Sequence, residues 1–148
     1  MFHNLSKNVF VQMVQPPIAD LTSAAVVPAS GSFIDVSQYD YFAFVLMVGA
    51  TDRTAQKIQI QQATAVDGTP KDISGAVNTA LGASDDNKMV MVSCRTAALD
   101  TANGYRYVTA LPTWTGGTAG CGAILFLGWR ARDLPVSTTN SFAEVVTV

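Results

Sequence analysis

Residues able to carry out acid–base catalysis are scarce in this sequence. It contains one histidine, His3, and one glutamate, Glu144, and they lie near opposite ends of the chain. A Ser-His-Asp or Cys-His arrangement needs a well-placed base, and glycoside hydrolysis needs two carboxylates facing each other in a cleft. We therefore expect no catalytic residues and interpret the chain as a non-enzyme.

Motifs for metal ions, phosphates or disulfides are equally weak. The run Asp85-Asp86-Asn87 offers oxygen ligands for Ca²⁺, but no third acidic position follows at loop spacing, which favours a solvated turn. The glycine-rich residues 116–120 lack the lysine of a phosphate-binding loop and do not lead into a helix. Cys94 and Cys121 are two lone cysteines in different predicted strands, and without a recognisable secretion signal they favour reduced, buried thiols over a disulfide. We expect no metal site and no cofactor.

Composition indicates which partners to expect. The chain has 148 residues, of which 49% are hydrophobic and 14% charged, with a net charge of −2. An ordinary domain is about 25% charged. The sequence shows no basic footprint for nucleic acid, and its longest apolar run, residues 42–48, is far shorter than the ~20 residues of a membrane span. Residues 1–7 do not resemble a secretion signal. We expect neither nucleic-acid nor membrane binding, and a surface partly covered by protein.

Strand patterns cover most of the chain. Aromatic and β-branched residues alternate with polar ones between clusters of Gly, Asp, Asn and Pro, and no window sustains a helical period. Short helical turns are expected at residues 73–81 and 97–102. The predicted fold is all-β: one domain, residues 1–148, forming an antiparallel, jelly-roll-like β-sandwich of about eight strands. The clearest strands are residues 9–14, 25–27, 32–36, 39–48, 57–61, 88–94, 105–111 and 122–129.

The same patterns predict the core and one turn. Residues 39–48 are apolar at nearly every position, so both faces of that strand should be buried, whereas residues 57–61 alternate strictly and should be half-buried. Asp67-Gly68 indicates a tight turn in which Gly68 takes a positive φ. The residues predicted to form the core are Phe42, Phe44, Leu46, Val90, Val92, Ile124 and Phe126.

Both ends of the chain are predicted to be extended arms, residues 1 to about 17 and about 134 to 148, that dock on neighbouring subunits. Pro16-Pro17 and Pro135 interrupt strand pairing at the border of the core, and the strand-prone C-terminal residues favour strand addition to a neighbour. Trp114 has two equal interpretations, core packing or interface anchor. Arg130 and Arg132, with Asp133 beside them, form either a surface ion pair or a docking contact. The candidate interface residues are Phe2, Trp114, Arg130, Arg132, Phe142, Val145 and Val146.

A set of strand and turn motifs between about residues 31 and 136 resembles a known family. Residues 33–36 lead into 39–44, residues 58–63 precede Asp67-Gly68, and three further motifs follow at residues 104–108, 123–128 and 132–136. This chain resembles the small β-sandwich structural proteins of tailed bacteriophages, above all the capsid decoration or cement proteins. Such proteins often read strand, Gln-Glu-Ser-x-Asp-Gly, strand; residues 61–68 depart from this by being longer and lacking the Glu.

The resemblance implies a protein made in the host bacterial cytoplasm that becomes part of the virion, on the outer capsid surface. Its partners would be the major capsid protein and, from the low charge and apolar surface, further copies of itself in a dimer or trimer. A tail or neck component of the phage is the first alternative. A carbohydrate-binding jelly-roll module is the second; it needs several aromatic side chains on one face, for which Trp114, Tyr105 and Tyr107 are the candidates.

Overall fold

The computed structural model describes residues 8–18, 23–82, 84–117 and 120–131. These residues form eight strands and two short 3₁₀ turns, Thr96–Ala98 and Thr101–Asn103. Both 3₁₀ turns overlap the predicted helical-turn region 97–102. The all-β prediction is confirmed. The strands are β1 Val9–Ile18, β2 Ile34–Asp35, β3 Tyr39–Thr51, β4 Thr54–Ala63, β5 Lys71–Val77, β6 Met89–Arg95, β7 Tyr107–Thr115 and β8 Gly120–Ala131.

The strands form two four-stranded antiparallel sheets. Sheet A has the order β1-β8-β3-β6 and sheet B the order β2-β7-β4-β5. The pairs β4·β5, β3·β6, β2·β7 and β1·β8 are successive steps of one long antiparallel ribbon. The ribbon folds over so that β3 also pairs with β8 and β4 with β7. This wrapped ribbon is the strand order of a jelly roll, as the spacing of strands and turns predicts.

Alternate side chains of both sheets point inward and form one core. Phe126 lies at its centre, with ring centroids 5.3 Å from Phe44, 6.3 Å from Phe42, 6.1 Å from Phe10 and 6.3 Å from Tyr39. Six of the seven predicted core residues are buried; Val90 is partly buried and packs against the others. This burial confirms the core prediction. The prediction was possible because side chains alternate between the two faces of β3, β6 and β8, so the sequence indicates which of them face inward.

Three local predictions are wrong. Residues 25–27 were predicted to be a strand, but among them only Val27 pairs, in an isolated bridge to Ala110. Residues 73–81 were expected to form a helical turn, but residues 71–77 are strand β5, which pairs with β4 through Gln61↔Asp72 and Gln62↔Lys71. Pairing with β4 and burial of Ile73 outweigh the local helical propensity. The tight turn predicted at Asp67-Gly68 is present and is closed by the Gly68 N–H, which donates to Ala65 O at 3.1 Å. The positive φ expected for Gly68 is not observed.

The N-terminal arm is also shorter than the sequence indicates. Strand β1 continues through Pro16 and Pro17 to Ile18, and its residues pair with β8 of the same chain, from Val9↔Trp129 to Ile18↔Gly122. Its register shifts twice, after Met13 and after Gln15. Proline is tolerated here because β1 is the outermost strand in the order of sheet A, where one side of the backbone need not join the ladder. Residues 9–17 therefore belong to the home sandwich, which corrects the predicted docking role for them.

Candidate interaction surface

The side chains of sheet A that point away from the core are almost all apolar. Because Phe42, Phe44 and Leu46 face inward, their neighbours along β3 face outward, and the same alternation holds in β6 and β8. We call this outward set the apolar face: Tyr41, Val45 and Met47 of β3, Met89 and Met91 of β6, and Leu125, Leu127 and Trp129 of β8.

The register aligns these side chains in rows across the sheet. Val45 lies opposite Met91 on one side and Leu125 on the other. Met47 lies opposite Met89, and Ala43 lies between Leu127 and Ser93. Since side chains opposite each other in an antiparallel pair are close neighbours, the rows merge into one continuous surface.

Exposure is greatest along β6. Met89 is 70% exposed and Met91 61% exposed, while Val45, Met47, Leu125 and Leu127 are half-buried. Contiguous apolar patches of this kind are uncommon on monomeric proteins and mark interaction sites. Methionine suits such a surface because its unbranched, polarizable side chain adapts to the shape of a partner.

One end of the apolar face borders an open cleft of about 610 Å³ between the ends of the two sheets. Arg95 enters it from the end of β6, Arg130 from the end of β8, and Arg106 from the segment that precedes β7. The Thr96 hydroxyl donates to Tyr39 O at 2.6 Å and anchors the floor of the cleft to β3. The lining residues are Ser37, Asp40, Tyr41, Arg95, Thr96, Ala97, Thr101, Tyr105, Arg106 and Arg130.

Tyr41 joins the cleft to the apolar face. Its ring stacks on Trp129, with centroids 5.8 Å apart and planes 9° from parallel. The guanidinium carbons of Arg95 and Arg130 lie 5.6 Å and 5.5 Å from the centre of the same ring. Arg95 and Trp129 are the cross-strand neighbours of Tyr41 on its two sides, so the three side chains form a row across the sheet.

The backbone of Arg130 has an unusual conformation that helps to build this arrangement. Its φ is +53°, in the left-handed region that residues with a Cβ rarely adopt. Consecutive residues of a regular strand point to opposite faces, yet Trp129 and Arg130 both contact the ring of Tyr41. Strained residues of this type concentrate at functional sites.

Trp114, the other candidate that the structure describes, lies at the opposite end of the sandwich. It is half-buried in β7 and packs against the core. The guanidinium carbon of the buried Arg53 lies 3.8 Å from the centre of its ring. One ring face is thus occupied by a side chain of the same molecule, as expected for a packing role.

The remaining sequence-predicted interface residues lie outside the described residues: Phe2, Arg132, Phe142, Val145 and Val146, together with the C-terminal arm from residue 134. Arg130 lies at the cleft with Arg95 and Arg106, whereas the sequence suggested only its neighbours Arg132 and Asp133 as partners. Arg95, Arg106, Met89 and Met91 were missed as functional residues. The strand pattern of residues 88–94 contained a signal for the methionines, because its outward positions are apolar where a solvated strand has polar ones.

Chemically reactive groups are few in the described structure. Cys94 is a free, half-buried thiol, and burial raises its pKa; a thiol of this kind is a poor nucleophile because the thiolate is the reactive form. Within the described ranges, no three His, Cys, Asp or Glu side chains come together as metal ligands. No helix in the described part of the chain is long and apolar enough to span a membrane.

No protein-family model and no curated protein matches this chain. Among solved structures, it is similar to the SPBc2 prophage-derived protein YomS, with 7% identity, a TM-score of 0.49, and coverage of 82% of this chain and 92% of the other. It is also similar to the CBM22-1 and GH10 modules of Clostridium thermocellum xylanase 10B complexed with xylohexaose (8% identity, TM-score 0.46, 84% of this chain, 25% of that chain). A third similarity is to infectious bursal disease virus Gx strain (10% identity, TM-score 0.35, 84% of this chain, 32% of that chain).

The structures that resemble this chain therefore include a prophage-derived protein and a virus. With identities of 7 to 10% and TM-scores below 0.5, they carry no argument about its function.

Proposed function

We propose that the chain is a non-enzymatic structural protein of a bacteriophage virion that decorates the outer capsid surface and stabilises it by bridging neighbouring major capsid protein subunits. The observation that carries the proposal is the apolar face of sheet A, which serves as the docking surface for a capsid subunit. The motifs that resemble decoration proteins support the choice of partner, and the scarcity of acid–base groups supports a non-enzymatic role.

The energetics favour docking through this face. Full burial of a Leu or Met side chain contributes about 1.5–3 kcal/mol relative to leaving it exposed. Met89 and Met91 still have most of their surface to bury, so two residues alone provide a substantial driving force. A protein that binds only the assembled shell stabilises that shell by mass action.

Self-association as a dimer or trimer is the second part of the proposal. An oligomer presents two or three apolar faces to the shell, and each bound copy raises the effective concentration of the next. Different copies in one oligomer can then dock on neighbouring capsid subunits and so bridge them, without a large contact at any single copy. Light scattering of the purified protein tests this part: a monomer at all concentrations would contradict it.

The carbohydrate-binding alternative receives little support from the aromatic residues. A sugar stacks on an exposed ring face, but the ring of Tyr41 lies between Trp129 and Arg95. Trp114 has Arg53 against its ring, and Tyr105 has Lys71 Nζ 4.0 Å from its ring centre. A tail or neck component would use the same apolar face; cryo-EM of virions with and without this protein distinguishes a distribution over the capsid from a position at one vertex.

The direct test is binding to shells that lack the protein, measured by co-sedimentation. The double variant Met89→Glu, Met91→Glu places two charges on the most exposed part of the apolar face. We expect affinity to fall by at least about tenfold, since burial of two methionines is replaced by desolvation of two carboxylates.

Val77→Glu is the matched control, because Val77 is a 40%-exposed apolar residue on β5, the outermost strand of sheet B. It should bind shells like the unmodified protein. Melting temperatures of all variants should stay close together, since substitutions at exposed positions usually change stability by less than about 0.5 kcal/mol. Equal binding by the Met89, Met91 variant and the unmodified protein would remove the apolar face as the docking surface.

A further inference from the structure

The cleft beside the apolar face concentrates positive charge in a chain that has little. Three of the five arginines of the sequence, Arg95, Arg106 and Arg130, line this one cleft, although the net charge of the chain is −2. They come from three separate strand ends. Asp40 is the acidic residue among the lining side chains.

Two of these guanidinium groups have no carboxylate partner among the described residues. Arg106 is engaged: its Nε lies 3.3 Å from Asp35 Oδ2, and it donates to the Tyr107 hydroxyl at 2.8 Å. Arg95 and Arg130 instead contact the ring of Tyr41. Both side chains line the cleft and are exposed, and each guanidinium carries five N–H donors.

We infer that this cleft binds the carboxylate side chains of an acidic protein segment, with Arg95 and Arg130 as the principal ligands. A guanidinium fork matches a carboxylate with two parallel hydrogen bonds. Cation–π contacts with the Tyr41 ring restrict both guanidinium groups, which lowers the side-chain entropy lost on binding. The hydroxyls of Ser37, Thr101 and Tyr105 supply further polar contacts at the rim.

Other anionic ligands fit these observations less well. Binding to the DNA backbone relies on many Lys and Arg contacts to phosphates, whereas only three arginines line this cleft and the net charge of the chain is −2. The cleft also continues into an apolar surface through Tyr41 and Trp129, and a mixed apolar and charged contact is typical of protein–protein interfaces.

This inference rests on the proposed function only for the identity of the partner. If the partner is a capsid subunit that covers the apolar face, that subunit should present Asp or Glu residues next to its own apolar patch. Charge pairing at the border of a hydrophobic contact chiefly fixes its register and raises the association rate. Binding of acidic peptide to the cleft can be measured without any shell.

The probe is a blocked hexapeptide of alternating Asp and Glu, titrated into the full-length protein by calorimetry at low salt. The fluorescence of Trp129, which stacks on Tyr41, provides a second readout in a Trp114→Phe background. We expect saturable binding that weakens with salt. Arg95→Gln and Arg130→Gln should each reduce affinity about tenfold, because each removes a charge-assisted contact. Lys57→Gln, an exposed cation on β4 of sheet B, should bind normally.

Three results would overturn the inference: no binding of the acidic peptide, binding that the two arginine variants do not weaken, or binding of inorganic phosphate or a single-stranded DNA 12-mer at least as tight as that of the peptide. Circular dichroism and melting curves establish that the variants are folded. The Met89→Glu, Met91→Glu protein separates the two proposals, because it should lose shell binding yet still bind the peptide. Arg95→Gln and Arg130→Gln should weaken peptide binding even if the protein turns out not to bind shells.

Discussion

The outer faces of the two sheets differ although both belong to one small sandwich. On sheet B, the outward side chains of β4 and β7 are largely polar, and contacts within the chain satisfy several of them. Gln59 Nε2 donates to the carbonyls of Ile60 at 2.8 Å and Ile73 at 3.0 Å. Gln61 Nε2 donates to Asp72 Oδ1 at 2.8 Å. Sheet A carries methionine, leucine and valine at the equivalent outward positions of β3, β6 and β8.

This difference indicates which side of the molecule is made for a partner. A face whose polar groups are hydrogen-bonded within the chain gains little from a further protein, because it offers few free donors or acceptors and little apolar surface to bury. An exposed apolar face gains from being covered. The arginine cleft lies at the border of sheet A, so the charged and the apolar parts of the proposed contact are adjacent. The following predictions test this asymmetry.

The largest effect is expected in the core that both sheets share. Phe44→Ala removes a fully buried ring that contacts Phe126, and it should lower the free energy of unfolding by roughly 3–5 kcal/mol. Denaturant unfolding measures this loss. An unchanged midpoint would mean that β3 is not placed as described and that the assignment of its outward side chains fails with it.

A smaller loss is expected from Gly128→Ala on the inner side of sheet A. A Cβ at this position would lie 3.0 Å from three ring carbons of the buried Tyr39, so the overpacking should cost about 1–3 kcal/mol. Gly82→Ala is the control, since its Cβ would meet nothing nearer than an Asp85 oxygen at 3.9 Å. Equal melting temperatures of the two variants would show that Tyr39 can move aside.

Replacing methionines on the apolar face should change surface properties far more than stability. Met89→Gln with Met91→Gln should alter the free energy of unfolding by less than about 0.5 kcal/mol. The dye anilinonaphthalene sulfonate fluoresces when it binds exposed apolar surface. The same double variant should therefore strongly reduce the fluorescence of the bound dye. Val66→Gln with Val77→Gln replaces two exposed valines elsewhere and should reduce it less. If the valine pair reduced dye fluorescence more than the methionine pair, the outer face of sheet A would not be the main exposed apolar surface.

The smallest effect concerns an ion pair at the border of sheet B. Lys71 Nζ lies 2.8 Å from Asp100 Oδ2, and this contact lowers the pKa of Asp100. A carboxyl whose pKa is lower in the folded than in the unfolded chain stabilises the fold at pH values above its unfolded pKa of about 3.9. This stabilisation is lost as the pH falls through the folded pKa. Asp100→Asn should therefore reduce the drop in melting temperature between pH 7 and pH 3. Lys71→Gln should do the same, and a full drop in both variants would contradict this account.

Local sequence was sufficient for the core and for most of the strands, but not for every strand or boundary. The pattern of residues 39–48 and 122–129 specified two long strands and their inward side chains, because period-2 alternation is a local property. Residues 71–77 were misread because Ile73 and Ala76 are three apart, which also suits a helical turn; pairing with β4 decided the matter. Pro16-Pro17 indicated the end of a strand, but only the position of β1 at the outside of sheet A makes those prolines acceptable there.

Composition and side-chain alternation are visible one residue at a time, and they were enough to predict an all-β sandwich and a chain poor in acid–base groups. The tertiary structure decided which outward residues share a surface. Val45, Met91 and Leu125 are widely separated along the chain, and only the register of β3 with β6 and β8 places them in one row. In the same way, Arg95, Arg106 and Arg130 come together only because the wrapped ribbon of a jelly roll brings the ends of β6 and β8 and the start of β7 to one end of the molecule. Side-chain periodicity is encoded locally, whereas the neighbours of a strand are chosen by long-range pairing.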